Sequence, residues 1–104
     1  MQTEEQELIR RIAGGETELC SRLADRYGKA VYTLAARIAG CTEDAEELTQ
    51  DIFLRAFARL DRFGGRSSFS TWLYRIAYNM AVSHARRMRP KFCDMDERRL
   101  AALP

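Results

Sequence analysis

The sequence predicts an all-α fold, a compact helical bundle of about four to five helices. Three observations carry that prediction. Apolar residues recur at three- and four-residue spacing along most of the chain. Proline occurs only at positions 90 and 104, outside every periodic segment. No alternation of period two persists long enough to make a strand. At 104 residues the chain is expected to be one domain with a single modest core.

The elements follow in order. Thr3-Glu-Glu-Gln6 is a capping box opening a short helix to about Ala13, which Gly14-Gly15 stops. Leu19, Cys20, Leu23 and Tyr27 mark a second helix over roughly 16–27, with Gly28 the expected break or kink. Val31, Leu34, Ala35 and Ile38 share one stripe of a third, ending at Gly40-Cys41. Thr42 is the expected N-cap of a fourth helix, about 43–61, whose inward face is Ala45, Leu48, Ile52, Ala56 and Leu60. Phe53 and Phe57 widen that stripe. Gly64-Gly65-Arg66-Ser67-Ser68 is a loop, and Ser67 or Ser68 is placed to cap the last helix, about 69–89. Pro90 ends it, because the residue before a proline is pushed out of the helical region. The domain is therefore expected to occupy 1–90, with 91–104 a tail or the start of a linker.

Composition narrows the function classes. Met1-Gln-Thr-Glu-Glu is polar and acidic, unlike a secretory leader. No apolar run approaches the ~20 residues that span a bilayer, so a cytoplasmic location is expected. Cys20, Cys41 and Cys93 are odd in number and lack CxxC spacing, which favours reduced thiols over a disulfide framework or a zinc site. One histidine, His84, has no carboxylate near it in sequence, so no catalytic set is visible and no enzyme is expected. Gly64-Gly65 lacks the Gly-Lys-Ser/Thr ending of a phosphate cradle. The acids of 43–51 lie on one helix and cannot wrap a metal ion; neither metal nor cofactor is expected.

The formal charge of +2 conceals a sharp reversal. Residues 43–54 hold Glu43, Asp44, Glu46, Glu47 and Asp51 with no Lys or Arg. From Arg55 to Lys91 there are nine basic residues against one acid, Asp61, a local net of +8. Phe63, Phe69, Trp72, Tyr74 and Tyr78 interleave that basic stretch. On the acidic side, Glu47, Gln50, Asp51 and Leu54 fall at i, i+3, i+4 and i+7. They form one ridge beside the buried stripe, suited to a basic partner helix. On the basic side, Trp72, Ile76 and Met80, with Leu73, Ala77 and Ala81, read largely as core. Phe63 and Phe69 flank a glycine-bearing polar loop, where aromatics and Arg66 would suit a single-stranded nucleic acid. Asn79 is open to two readings, a base-edge contact or a solvent-facing helix residue.

Three runs then carry a resemblance. They are Asp44-Ala-Glu-Glu-Leu-Thr-Gln-Asp-Ile-Phe-Leu-Arg-Ala-Phe57, Leu60-Asp-Arg-Phe63 and Phe69-Ser-Thr-Trp-Leu-Tyr-Arg-Ile-Ala-Tyr-Asn79. In this order and spacing they resemble region 2 of bacterial RNA polymerase sigma factors, of the extracytoplasmic-function (ECF) group. Glu7-Leu-Ile-Arg-Arg-Ile-Ala-Gly-Gly15 and Arg26-Tyr-Gly28 resemble the family's first helices, so the likeness covers about 5–90.

The resemblance implies two partners. A family segment that docks on the β′ clamp helices of RNA polymerase corresponds to Glu47-Leu-Thr-Gln-Asp51, giving Glu47, Gln50 and Asp51 the docking role, with Leu54 on the same ridge. Glu replaces the family's Asp at 47 and Asp its Glu at 51, which keeps charge and changes reach. The second partner is the −10 promoter element, whose non-template strand offers a flipped base. Phe63, the loop Arg66-Ser67-Ser68-Phe69 and the helix to Asn79 resemble its reader. Ser83, His84 and Arg87 then lie towards the upstream duplex, and Arg75 serves the fold or the strand backbone. The family commonly has an anti-sigma factor as well, which would cover the same faces. ECF factors normally carry a second, helix-turn-helix domain for the −35 element. The sequence reaches Pro104 in what resembles the interdomain linker, which reads as a fragment or a one-domain relative. A different class also stays open: a helical interaction module or regulator that binds polymerase without reading DNA.

Overall fold

A computed structural model describes residues 4–87. Its helices are α1 (Glu4–Ala13), α2 (Cys20–Ala39), α3 (Thr42–Ala58) and α4 (Phe69–Arg87), with single 3-10 turns at Thr17–Leu19 and Leu60–Arg62. The expected Thr3 cap, the Pro90 stop, the 91–104 tail and Cys93 all lie outside the described residues.

The main departure is α2. It runs unbroken through Gly28, where a break was expected. The apolar stripe continues across the glycine, from Leu23 to Val31 and Ala35, all fully buried. Packing of that face outweighs the ~1 kcal/mol that a mid-helix glycine costs. Termination comes at Gly40 instead. Its φ of 81° is left-handed, and its N–H donates to the Ala36 carbonyl at 2.8 Å.

Two boundaries shift at α3. Cys41, not Thr42, occupies the N-cap position, in extended conformation. The Thr42 hydroxyl donates to the Glu43 carboxylate at 2.9 Å, so it is not turned onto the backbone as a cap. At the other end the helix tightens after Ala58 into the 3-10 turn at Leu60–Arg62. For α4 the choice between two serines resolves to Ser68. Its Oγ accepts from the Thr71 N–H at 3.1 Å, and its carbonyl accepts from the Trp72 N–H at 3.1 Å.

The two-residue link at Gly40-Cys41 turns α3 back along α2. The chain returns again after the 60–68 connection, so that His84, near the end of α4, reaches Asp44 in the first turn of α3. Helices α2 and α4 thus run side by side in one direction, with Tyr27 5.5 Å from Phe69 and 6.2 Å from Tyr74 between ring centroids. Leu23, Ile52 and Leu73, one from each long helix, are fully buried. Each such burial contributes roughly 1.5–3 kcal/mol. Ala35, Ala45, Ala56, Ala77 and Ala81 are also solvent-free, and their small side chains let the helices approach closely. Helix α1 adds Leu8, Ile9 and Ile12 to the same core. It is tied to α2 by Glu5, which accepts from Arg26 and from the Tyr27 hydroxyl.

The cysteines correct an expectation. Cys20 is a free thiol, but Cys41 is buried and disulfide-bonded. An odd cysteine count without CxxC spacing, on which the reading of reduced thiols rested, does not exclude a single bridge.

Candidate functional site

The outer face of α3 is built by subtraction. Its core stripe uses Ala45, Leu48, Ile52, Phe53 and Ala56, all buried. At 100° per residue, the positions on the opposite side are Glu43, Glu47, Gln50, Leu54 and Ala58, flanked by Asp51. All are exposed, Leu54 at 69%. The ridge of Glu47, Gln50, Asp51 and Leu54 therefore stands directly away from the core, not beside the buried stripe as expected.

On α4 the fully buried line is Phe69, Leu73, Ala77 and Ala81, at four-residue spacing. Trp72, Ile76 and Met80, expected as the core stripe, are half-buried along its edge. The outward positions are Thr71, Arg75, Tyr78, Asn79, Ser83 and Arg86, all exposed. Asn79 thus points away from the core, and Arg75 stands with it.

Two expected DNA-contact residues move inward. Phe69 is 3% exposed and belongs to the core cluster, so its ring is not available to stack on a base. It is held by Tyr27, Phe63 and Trp72, the latter two at centroid distances of 5.8 Å. Aromatic contacts of this kind favour the packed loop over a mobile one. His84 is half-buried, and its Nε2 lies 3.4 Å from Asp44 Oδ2. That places it on the α3-facing side of α4, away from Arg75 and Asn79. Phe63 is half-buried, 5.2 Å from the Trp72 ring. Arg66 is exposed, Ser67 is half-buried, Ser68 is engaged as the cap, and Arg87 is exposed. Tyr78, which the sequence did not single out as a site residue, is 55% exposed.

Besides the His84–Asp44 contact, three arginine–glutamate pairs gather around α1 and the start of α2. Arg10 pairs with Glu7, Arg26 with Glu5, and Arg11 with Glu16 through two contacts of 2.7 and 2.9 Å. The last pair lowers the Glu16 carboxyl and raises the Arg11 guanidinium, chiefly through their hydrogen bond. By contrast, Arg55, Arg59, Arg62, Arg66, Arg75, Arg86 and Arg87 are all exposed and form no ion pair among the described residues. The same holds for Glu46, Glu47 and Asp51 on α3. Among the described residues no group of three or more His, Cys, Asp or Glu side chains could hold a metal ion. No helix there is long and apolar enough to cross a membrane. The arrangement can bind charged partners on two faces.

Comparison with known proteins identifies the family. The profile of Sigma-70 region 2 matches residues 23–90. The chain belongs to the sigma-70 region 2 family. Its relatives include the ECF RNA polymerase sigma factor SigW of Bacillus subtilis, 33% identical over 81% of this chain and 45% of that protein. The ECF RNA polymerase sigma-E factor of Escherichia coli K12 is 36% identical over 91% of this chain and 50% of its own length. This region 2 chain thus spans about half the length of the curated relatives it matches. Among solved structures it is similar to an engineered region 2 of sigmaE in complex with GTAAAA, determined by NMR. The TM-score is 0.73 and the identity 32%, over 88% of this chain and all of that one. The ECF group and the all-helical region 2 fold expected from the sequence are both borne out.

Proposed function

We propose that this domain acts in transcription initiation, docking on the β′ clamp helices of RNA polymerase through α3 and holding the melted −10 element through α4. The observation that carries the reading is the placement of unpaired charge. Two exposed faces, one acidic and one free of acids, extend from a single core without internal counter-charges. Unpaired surface charge is retained at little cost and is available to a complementary partner. Membership of the region 2 family and the sigmaE likeness supply the partner classes.

The roles divide by face. Glu47, Gln50 and Asp51 meet basic side chains and polar groups of the clamp helices, and Leu54 supplies apolar contact at the end of the ridge. On the other face Asn79 contacts a base edge, while Arg66 and Arg75 meet strand phosphates, with Phe63, Ser67, Ser83 and Arg87 at the periphery. Phe69 supports the reader from within the core, and His84 steadies the α3–α4 junction through Asp44. No covalent chemistry is involved. Unstacking and unpairing a base costs a few kcal/mol, and a domain that holds the flipped base repays that only after opening. Isolated, the domain is expected to bind duplex DNA weakly and to depend on polymerase for a stable complex. The working site is the cytoplasm, and an anti-sigma factor would compete for these same faces.

The test is binding of a β′ clamp-helix fragment by calorimetry, together with a −10-like single strand by fluorescence anisotropy. Glu47→Arg, and Gln50→Ala combined with Asp51→Ala, should abolish clamp binding without loss of helicity. Strand affinity should fall with salt at a log–log slope of about −0.7 per phosphate contacted. Folded docking variants that bind as tightly as the parent would remove the α3 assignment. Equal affinity of the parent for scrambled strands would remove the base-reading role.

A further inference from the structure

Tyr78 and Leu54 are the large apolar side chains left exposed among the described residues, at 55% and 69%. Leu54 is accounted for by the α3 ridge. Among the described residues, the Tyr78 ring meets no other ring and its hydroxyl makes no hydrogen bond. It stands one turn beyond Tyr74, whose ring lines an open groove against α2 with Ala30, Thr33, Leu34 and Arg37.

The charge around it is one-sided. From Gly28 to Ala39, α2 contains no Asp or Glu, and neither does any position of α4. Arg75 and Arg86 are exposed on the outward side of α4 that carries Tyr78. The surface repels a basic protein helix and attracts a polyanion. An aromatic ring on such a surface suits a polyanion that also presents flat apolar groups. Duplex DNA hides the faces of its bases; an unpaired strand exposes them.

We propose that Tyr78 is an affinity-determining residue of the strand-binding face, on whose ring an unpaired base stacks next to the base contacted by Asn79. Adjacent residues on a helix point about 100° apart. Tyr78 and Asn79 therefore serve neighbouring nucleotides, one by stacking and one by edge contact. This inference rests on the reading of α4 as the strand-binding helix.

The experiment uses the whole chain with a fluorescein-labelled GTAAAA strand, the sequence bound by the related sigmaE region 2. Tyr78→Ala should weaken binding by about 5- to 150-fold, the range expected for one lost base–aromatic stack. Tyr78→Phe keeps the ring and should stay within about twofold of the parent. A scan of single abasic sites should find one position at which parent and Tyr78→Ala bind equally, because the stacking base is already gone. If the parent binds the strand and Tyr78→Ala binds as well, the inference alone falls. It falls too if Tyr78→Phe loses as much as Tyr78→Ala, or if Tyr78→Ala unfolds by circular dichroism. If the parent does not bind the strand, the reading of α4 and the inference fall together.

Discussion

Replacing Gly28 by alanine is expected to stabilise the protein, and the amount follows from three features of the site. The residue lies in the interior of α2, eight residues from its start and more than ten from its end. Positive φ occurs at Gly15, Gly40 and Gly65 and not at Gly28, so an L-residue fits without strain. A Cβ built there meets nothing within 4 Å, so the methyl neither clashes nor fills a cavity. What remains is backbone entropy. Glycine loses more freedom on folding than alanine, which is worth about 0.5–1 kcal/mol in a helix interior. For a domain of this size that corresponds to a rise in Tm of about 2–8 °C. Thermal and urea unfolding, followed by circular dichroism at 222 nm, measure both quantities. The urea midpoint should rise with an unchanged slope. An unchanged or lowered Tm would refute the reasoning, because it would mean that the chain needs glycine at 28 for a bend. The point matters for function, since the unbroken helix is what carries Tyr27 to the Phe69 and Tyr74 rings at the base of α4.

Two other outcomes follow from local geometry. Ser68→Ala should cost about 1 kcal/mol by removing the acceptor for the Thr71 N–H, whereas Ser67→Ala should stay within about 0.5 kcal/mol. Equal urea midpoints for the two variants would overturn the cap assignment. The Tyr27 phenol is pushed up to about 12, first by burial and then by its hydrogen bond to Glu5. Because the folded value is raised, the neutral phenol's contribution to stability is complete below about pH 10 and is lost as pH rises through 12. In an alkaline titration at the tyrosinate absorbance band, Tyr27→Phe should remove a step near 12. Removal of a step near the ordinary tyrosine value instead would contradict the buried hydrogen bond.

What the sequence determined by itself is the information that local periodicity carries. The inward face of α3, Ala45, Leu48, Ile52 and Ala56, is readable from 3.6-residue spacing, and so is the sharing of one ridge by Glu47, Gln50, Asp51 and Leu54. The ordered runs from Asp44 to Asn79 were enough to reach the family. Tertiary structure decided matters that depend on neighbours distant in sequence. Gly28 continues a helix because both of its flanks bury against α3 and α4. Phe69 is core because Tyr27, more than forty positions earlier in the chain, closes over it. His84 has no acid nearby in sequence, yet finds Asp44 because α4 returns along α3. Tyr78 and Trp72 look alike in a list of interleaved aromatics, and only the packing leaves one exposed and places the other against Phe63. Spacing fixes which side chains share a helix face. Which face meets another helix, and which is left for a partner, is decided by how the helices pack.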